Sequence, residues 1–142
     1  LAAAARGPAP AAPDLPGLLD SLAAPGRRLG IATHDGEAAA RARMLSLGAL
    51  DRFDFVAGYD SGHGLKPGPG MVQAFCAAQG LAPQEVAMIG DSLHDLHAGR
   101  AAGCALTVGV LTGPAPREVL APHADLVLAS IADLPAALDA VR

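Results

Sequence analysis

The feature that most constrains the fold is the stretch Val86-Ala-Met-Ile-Gly-Asp91-Ser-Leu-His-Asp95. A short apolar run ends at a glycine, two carboxylates follow four residues apart, and a helical pattern begins. In an open α/β sheet, ligands bind at the carboxyl ends of strands, beside the first turn of the following helix. Two carboxylates placed there suit a hard divalent cation such as Mg²⁺, which takes oxygen ligands. From this stretch alone, Asp91 as a helix N-cap and Asp95 as a solvated first-turn acid explain the pattern equally well.

Length and charge narrow the classes of protein to which the chain can belong. Its 142 residues are enough for one domain, and its formal net charge is -4. Because there is no basic cluster and no apolar run of about 18 residues, we expect neither a nucleic-acid partner nor a membrane span. The two cysteines, Cys76 and Cys104, have no metal-binding spacing. We expect them to be reduced thiols in a cytoplasmic protein.

Helical and strand patterns alternate from residue 14 to the end of the chain. The apolar spacing predicts helices over residues 14–24, 37–47, 71–79, 95–102 and 117–120 and from 131, and strands over 29–32, 53–58, 86–90, 106–110 and 126–128. This alternation predicts an α/β fold, a Rossmann-like parallel sheet sandwiched by helices. Residues 1–13 are rich in alanine and proline and show no sustained period, which is typical of a linker.

Reactive side chains follow three of the predicted strands. Thr33 ends the first strand, Lys66 lies in a glycine- and proline-rich loop beyond the second, and Asp91 ends the third. Lys66 is the one lysine in a chain with nine arginines, which suggests a position that needs a compact ammonium group. Because the carboxyl ends of parallel strands share one edge, these groups should converge there. A hydroxyl, an ammonium and a carboxylate pair together predict a phosphate site with a bound metal.

Three segments make the chain resemble a known family. Thr33 after Leu-Gly-Ile-Ala, Lys66-Pro67 in a loop, and Gly90-Asp91 through Asp95 after an apolar strand are similar to motifs of the haloacid dehalogenase-like superfamily. Within it, the chain most resembles the phosphoglycolate-phosphatase-like hydrolases. The resemblance extends over residues 14–142.

The resemblance implies a role for each matching residue. Thr33 would bind the transferring phosphoryl group, and Lys66 would stabilise its charge and that of the nucleophile. Asp91 would bind Mg²⁺, and Asp95 would support either the metal site or Lys66. His34 follows Thr33 and would bind phosphate through its backbone N–H or its side chain.

One part of the family pattern is not found. The family attacks phosphorus with the first Asp of an Asp-x-Asp motif, and no two aspartates here stand two positions apart. We therefore expect a nucleophile outside these residues, on a first strand that the given chain lacks together with its cap. Residues 1–13 would then be a linker from the cap, and residues 14–142 a partial core domain. The two strands that flank the lacking strand would each expose an unpaired edge.

These observations predict a Mg²⁺-dependent phosphatase acting on a small phosphorylated metabolite similar to 2-phosphoglycolate. The reaction would pass through an aspartyl-phosphate formed on an Asp outside this chain. The alternative is a non-catalytic domain of the same fold that binds phosphate or a partner. A sugar-phosphate mutase or a dehalogenase is a third possibility, and the acids Asp91 and Asp95 argue against a metal-free dehalogenase.

Other polar residues near these motifs have two interpretations each. His94 and His97 are either exposed histidines or part of a transition-metal cluster, and a hard Mg²⁺ site favours the first interpretation. Asp60 and Ser61 either form a turn or contact substrate, and Asp35 is predicted to cap the following helix. The loop 62–70 does not fit a nucleotide-binding motif and is predicted to orient Lys66.

Overall fold

A six-stranded parallel sheet forms the centre of the protein. The computed structural model describes residues 2–5 and 14–140. The strands, in the sheet order β3-β2-β1-β4-β5-β6, are β1 (Ala2–Ala5), β2 (Leu29–Ala32), β3 (Phe55–Ala57), β4 (Val86–Gly90), β5 (Leu106–Val110) and β6 (Leu126–Leu128). The α-helices are α1 (Leu15–Ala23), α2 (Glu37–Ser46), α3 (Gly70–Gln79), α4 (Leu93–Ala102), α5 (Arg117–Leu120) and α6 (Leu134–Ala140).

The α/β fold predicted from the alternating patterns is confirmed. All five predicted strands form, and β2, β4, β5 and β6 have the predicted bounds. The last helix begins with a 3₁₀ turn, Ile131–Asp133, before α6. Among the described helices, none is both long and apolar enough to cross a membrane.

Apolar side chains cover both faces of the sheet. In β4, Ala87 and Ile89 join the cluster that packs against α1, α2 and α6, while Val86 and Met88 join the cluster beneath α3. This division follows from the two-residue period of a strand, which sends successive side chains to opposite faces. Because both faces of β4 are buried, the strand end at Gly90 is held firmly in the middle of the sheet.

The prediction that residues 1–13 form a linker is wrong for Ala2–Ala5, and residues 6–13 lie outside the described part. Ala2–Ala5 form the parallel strand β1, which pairs with β2 on one side and with β4 on the other. The two strand edges that were expected to be unpaired are therefore paired within this chain. The physical reason is that a ladder satisfies backbone N–H and C=O groups whatever side chains the strand carries. The domain boundary at residue 14 stays a prediction.

Helix α2 is capped by a residue other than the predicted Asp35. Its N-cap is Gly36, which has no side chain to cap the helix. The carboxylate of Asp60 accepts a hydrogen bond of 2.9 Å from the backbone N–H of Glu37 instead. Ser61 accepts from the N–H of Gly58 and donates to the Glu37 carboxylate. Asp60 and Ser61 therefore join the end of β3 to the start of α2, which favours the turn interpretation.

We expect Gly30→Ala to destabilise the protein by about 1–3 kcal/mol, because a methyl group there would overpack the core. A Cβ at residue 30 would lie 2.6 Å from Cδ1 of the buried Phe75. Urea unfolding of Gly30→Ala, Phe75→Leu and the double variant measures this effect. The double variant should lose less free energy of unfolding than the two single variants lose in sum. Strictly additive losses would contradict the close packing of Gly30 against Phe75.

The two cysteines are free thiols, one in α3 and the other beside the apolar cluster that α3 joins. Cys76 is buried, and Cys104 is half-buried beside the same apolar cluster. Burial raises the pKa of the Cys104 thiol to about 12 and also raises the pKa of Cys76. Both thiols are therefore protonated at neutral pH and are poor nucleophiles.

The raised pKa of Cys104 predicts a loss of stability at alkaline pH. Above the ordinary thiol pKa of about 8.5, the unfolded chain releases this proton while the native state keeps it. The free energy of unfolding should therefore fall as the pH rises from that value toward 12. Urea unfolding between pH 8 and 10 should give a steeper decline for the wild type than for Cys104→Ala. Parallel declines would show that Cys104 does not contribute to this dependence.

Candidate active site

The loop after β3 brings Lys66 back to the end of β2. The Lys66 ammonium donates 2.9 Å to the carbonyl oxygen of Ala32, the residue before Thr33. It also donates to the Asp95 carboxylate at 2.6 Å. In this ion pair the Lys66 side chain is 1 % exposed and the Asp95 side chain is 0 % exposed. The contacts support the prediction that the loop orients Lys66.

The closeness of the loop and the strand ends depends on glycine. A Cβ at Gly70 would lie against the carbonyl oxygen of His63, and a Cβ at Gly90 would overlap the Asp95 side chain. Side chains at these positions would push the loop or α4 away from the site. The glycines therefore let three segments of backbone approach one another closely.

Asp95 accepts hydrogen bonds through both carboxylate oxygens. Oδ1 accepts from Lys66, while Oδ2 accepts from the backbone N–H of Asp91 and from the hydroxyl of Ser92, both at 3.1 Å. These donors favour the predicted role in which Asp95 supports Lys66. Its predicted role as a metal ligand has no direct support in this geometry and stays a prediction.

Ser92 is the N-cap of α4, so Asp91 is not the cap. The Ser92 hydroxyl accepts from the backbone N–H of Asp95 at 3.4 Å and donates to its carboxylate. The spacing is that of a capping box, in which the Ser side chain at the cap accepts from the backbone N–H three residues later. Here the acid at that later position also accepts from the Ser92 hydroxyl. Sequence reasoning missed Ser92, although the spacing Ser92-x-x-Asp95 after a strand carries that signal.

Thr33 is buried at the end of β2. Its backbone N–H donates to Ala57 in β3 at 3.0 Å, and its hydroxyl oxygen accepts from the N–H of Asp35 at 3.1 Å. Because the hydroxyl oxygen is used as an acceptor there, its hydrogen can be directed toward another group. Donation to a phosphate oxygen requires a hydroxyl hydrogen that can be directed in this way.

His34 and His94 lie beside this region as exposed side chains, with ring centroids 6.2 Å apart. Partial burial, followed by the charge of Lys66, lowers the pKa of His34 below its ordinary value. His34 is therefore neutral at neutral pH. Its predicted role in phosphate binding stays a prediction.

Asp91, which is predicted to bind a metal, lies at the tip of β4, where 9 % of the residue is exposed. A Cβ at Gly113, in the loop after β5, would lie 2.4 Å from its Oδ2 atom, so glycine keeps that loop close to the carboxylate. The described residues contain no group of three or more His, Cys, Asp or Glu side chains that could hold a metal. One carboxylate fits Mg²⁺, which keeps several waters and binds through one or two carboxylates plus substrate phosphate.

Comparison with known proteins supports the resemblance inferred from the motifs. Residues 9–109 match the family model described as haloacid dehalogenase-like hydrolase. The chain belongs to this family. It is 39 % identical over 118 residues to a phosphoglycolate phosphatase of Chromobacterium violaceum, covering 83 % of this chain and 50 % of that protein.

Two solved structures share the fold. A predicted phosphoglycolate phosphatase from Haemophilus somnus has a TM-score of 0.80 and 26 % identity, covering 92 % of this chain and 56 % of that one. A HAD phosphatase from Thermococcus onnurineus has a TM-score of 0.75 and 28 % identity, covering 89 % of this chain and 57 % of that one. The chain thus spans about half the length of the relatives it matches.

The buried ion pair predicts a large cost for removing one partner. Lys66→Met leaves the Asp95 carboxylate buried without its cation, and we expect a loss of about 3–5 kcal/mol in the free energy of unfolding. The matched control is Arg41→Met, which removes the exposed Arg41–Glu37 pair at 3.0 Å and should cost less than about 0.5 kcal/mol.

Urea unfolding of both variants, and of Lys66→Met combined with Asp95→Asn, measures this difference. The combination should recover part of the loss because the remaining side chain is uncharged. Equal small losses for Lys66→Met and Arg41→Met would contradict a buried charge pair.

Proposed function

We propose that this chain supplies the phosphate-binding and metal-binding part of a Mg²⁺-dependent phosphatase. The observation that carries the proposal is the Lys66 ammonium, held 2.6 Å from Asp95 and 2.9 Å from the carbonyl oxygen of Ala32, the residue that precedes Thr33 in the chain. A fixed cation and a hydroxyl donor match the charge and hydrogen-bonding needs of a phosphoryl group. The comparisons support a phosphatase, since the chain matches about half the length of a relative that is named a phosphoglycolate phosphatase.

The proposed substrate is a small phosphate monoester similar to 2-phosphoglycolate. Support comes from the names of the Chromobacterium violaceum and Haemophilus somnus proteins, which both cite phosphoglycolate. A cytoplasmic location is part of the same proposal, because both cysteines are free thiols and free thiols are typical of a reducing compartment.

Each of these residues has a separate role in the proposed phosphoryl transfer. Thr33 donates a hydrogen bond to the phosphoryl group, and Lys66 offsets the negative charge on its oxygens. Asp95 is a positioning residue because it holds the Lys66 ammonium. Asp91 would hold Mg²⁺, whose chemistry is to neutralise phosphate charge and align the ester for displacement.

The nucleophile in this proposal is an aspartate outside this chain. An aspartyl-phosphate would split the slow hydrolysis of a monoester into two easier displacements. In the sheet, the strand between β2 and β4 is β1, which consists of four alanines. A carboxylate nucleophile therefore has to reach the site from another segment.

The alternative function is a non-catalytic domain that binds phosphate or a partner. One observation favours it: β1 pairs with both neighbours and closes the sheet with alanines alone. The two functions differ in turnover and share phosphate binding at Thr33 and Lys66. Release of inorganic phosphate from a panel of monoesters therefore distinguishes them.

We expect Asp91→Asn to abolish Mg²⁺-dependent phosphate release in a protein that joins this chain, in place of β1, to a strand carrying the Asp-x-Asp motif. The substitution removes an anionic oxygen ligand while keeping the side-chain shape, so kcat should fall by at least about 100-fold. The matched control is Asp51→Asn, an exposed acid in the 3₁₀ turn Leu50–Arg52 that should leave the rate unchanged.

Steady-state phosphate release with and without Mg²⁺ provides the measurement. Near wild-type turnover for Asp91→Asn would remove Asp91 from the site. Absence of turnover in the joined wild-type protein, with inorganic phosphate still bound by calorimetry, would favour the non-catalytic alternative.

A further inference from the structure

We propose that His97 and His123 form a second metal site, for a borderline transition cation such as Zn²⁺, on the face of α4 opposite the candidate active site. His97 is exposed on α4, and His123 is half-buried in the 3₁₀ turn Ala121–His123 that leads toward β6. Their rings meet with Nε2 of His97 3.4 Å from Nδ1 of His123. The ring centroids are 4.9 Å apart and the ring planes make an angle of 79°.

The separation of the two nitrogens fits a shared metal better than a direct hydrogen bond. An N–H···O hydrogen bond is usually about 2.7–3.2 Å long, so the 3.4 Å between these two nitrogens would be long for a direct hydrogen bond. Two imidazole nitrogens bound to one tetrahedral Zn²⁺ lie about 3.3–3.4 Å apart, because each Zn–N bond is about 2.0–2.1 Å. The pair is therefore spaced as two corners of a zinc tetrahedron.

Rigid elements hold the backbone of both histidines in place. The backbone carbonyl of His123 accepts from Nε of Arg100 at 3.0 Å and from the hydroxyl of Thr107 at 3.4 Å. Helix α4 packs closely on the sheet, since a Cβ at Gly99 would lie 2.6 Å from the side chain of Met88. The backbone positions of the two ligands are thus fixed before a cation binds, which lowers part of the entropic cost of binding.

The charges around the pair nearly cancel. Arg100 lies one helical turn after His97, and its guanidinium is 3.8 Å from the Asp125 carboxylate. Asp125 also accepts a hydrogen bond of 2.8 Å from the backbone N–H of Thr107. Because Asp125 offsets the charge of Arg100, the arginine does not prevent binding of a cation. Within the described part of the chain no third ligand joins the pair, so water would complete the coordination.

The site differs from the proposed Mg²⁺ site in chemistry and position. Imidazole binds Zn²⁺, Cu²⁺ and Ni²⁺, whereas Mg²⁺ prefers oxygen ligands and does not compete for the pair. His97 is two residues after Asp95, a rotation of about 200° around the helix, and it is exposed while Asp95 is buried against Lys66. A cation bound here would join α4 to the segment that precedes β6.

Titration calorimetry with Zn²⁺ tests the site, in untagged protein with excess Mg²⁺ and an Asp91→Asn background that removes the strand-tip carboxylate. We expect one Zn²⁺ to bind. His97→Ala and His123→Ala should each weaken binding at least tenfold, and the double variant should bind more weakly than either single variant. The matched control is His94→Ala, an exposed histidine one turn earlier on α4, which should leave the affinity unchanged.

Electron paramagnetic resonance with Cu²⁺ gives a second readout that depends on the ligands. Hyperfine coupling to two nitrogens is expected in the Asp91→Asn protein and to one in each single variant. Melting temperatures in metal-free buffer should be the same for His97→Ala and His94→Ala, since both side chains are exposed. Unchanged Zn²⁺ affinity in His97→Ala, or an equal loss in His94→Ala, would overturn the proposal.

Discussion

The buried ion pair between Lys66 and Asp95 is the interaction on which the candidate site depends. It joins the loop after β3 to the first turn of α4, and it places the ammonium beside the end of β2. A buried pair of this kind is costly to desolvate, and its value lies in the geometry that it fixes. Asp95 also binds the backbone N–H of Asp91, so one carboxylate sets the position of the lysine and of the strand tip together.

The sheet supplies the frame for this pair. Because β2 and β4 both pair with β1, their carboxyl ends lie two strands apart on one edge, and Lys66 lies across from Asp95 at that edge. The strand between them contributes backbone hydrogen bonds, and its four alanines offer no ligand or nucleophile. This strand therefore completes the sheet between β2 and β4.

Much of the fold could be predicted because apolar runs such as Val86–Ile89 end at turn residues and alternate with helical spacing. Strand β1 could not, since alanine has low strand propensity and the pairing depends on two neighbouring edges. The cap of α2 was assigned to Asp35 because it precedes the helix. The structure uses Asp60, 23 residues from its partner Glu37, and no local pattern reveals a contact that the fold creates. The spacing of Ser92 and Asp95 was a local signal for the N-cap of α4, and it was overlooked.

Two acids four residues apart were first interpreted as one pair of ligands, and the structure separates them by environment. Asp95 is fully buried, and its oxygens accept from an ammonium, an amide and a hydroxyl. Asp91 lies at the tip of β4 beside Gly113. One helical turn therefore separates the residue that positions the lysine from a carboxylate at the strand tip, whose binding of a metal stays a prediction. The division follows from environment, because the Asp95 carboxylate is buried and bound to the Lys66 ammonium.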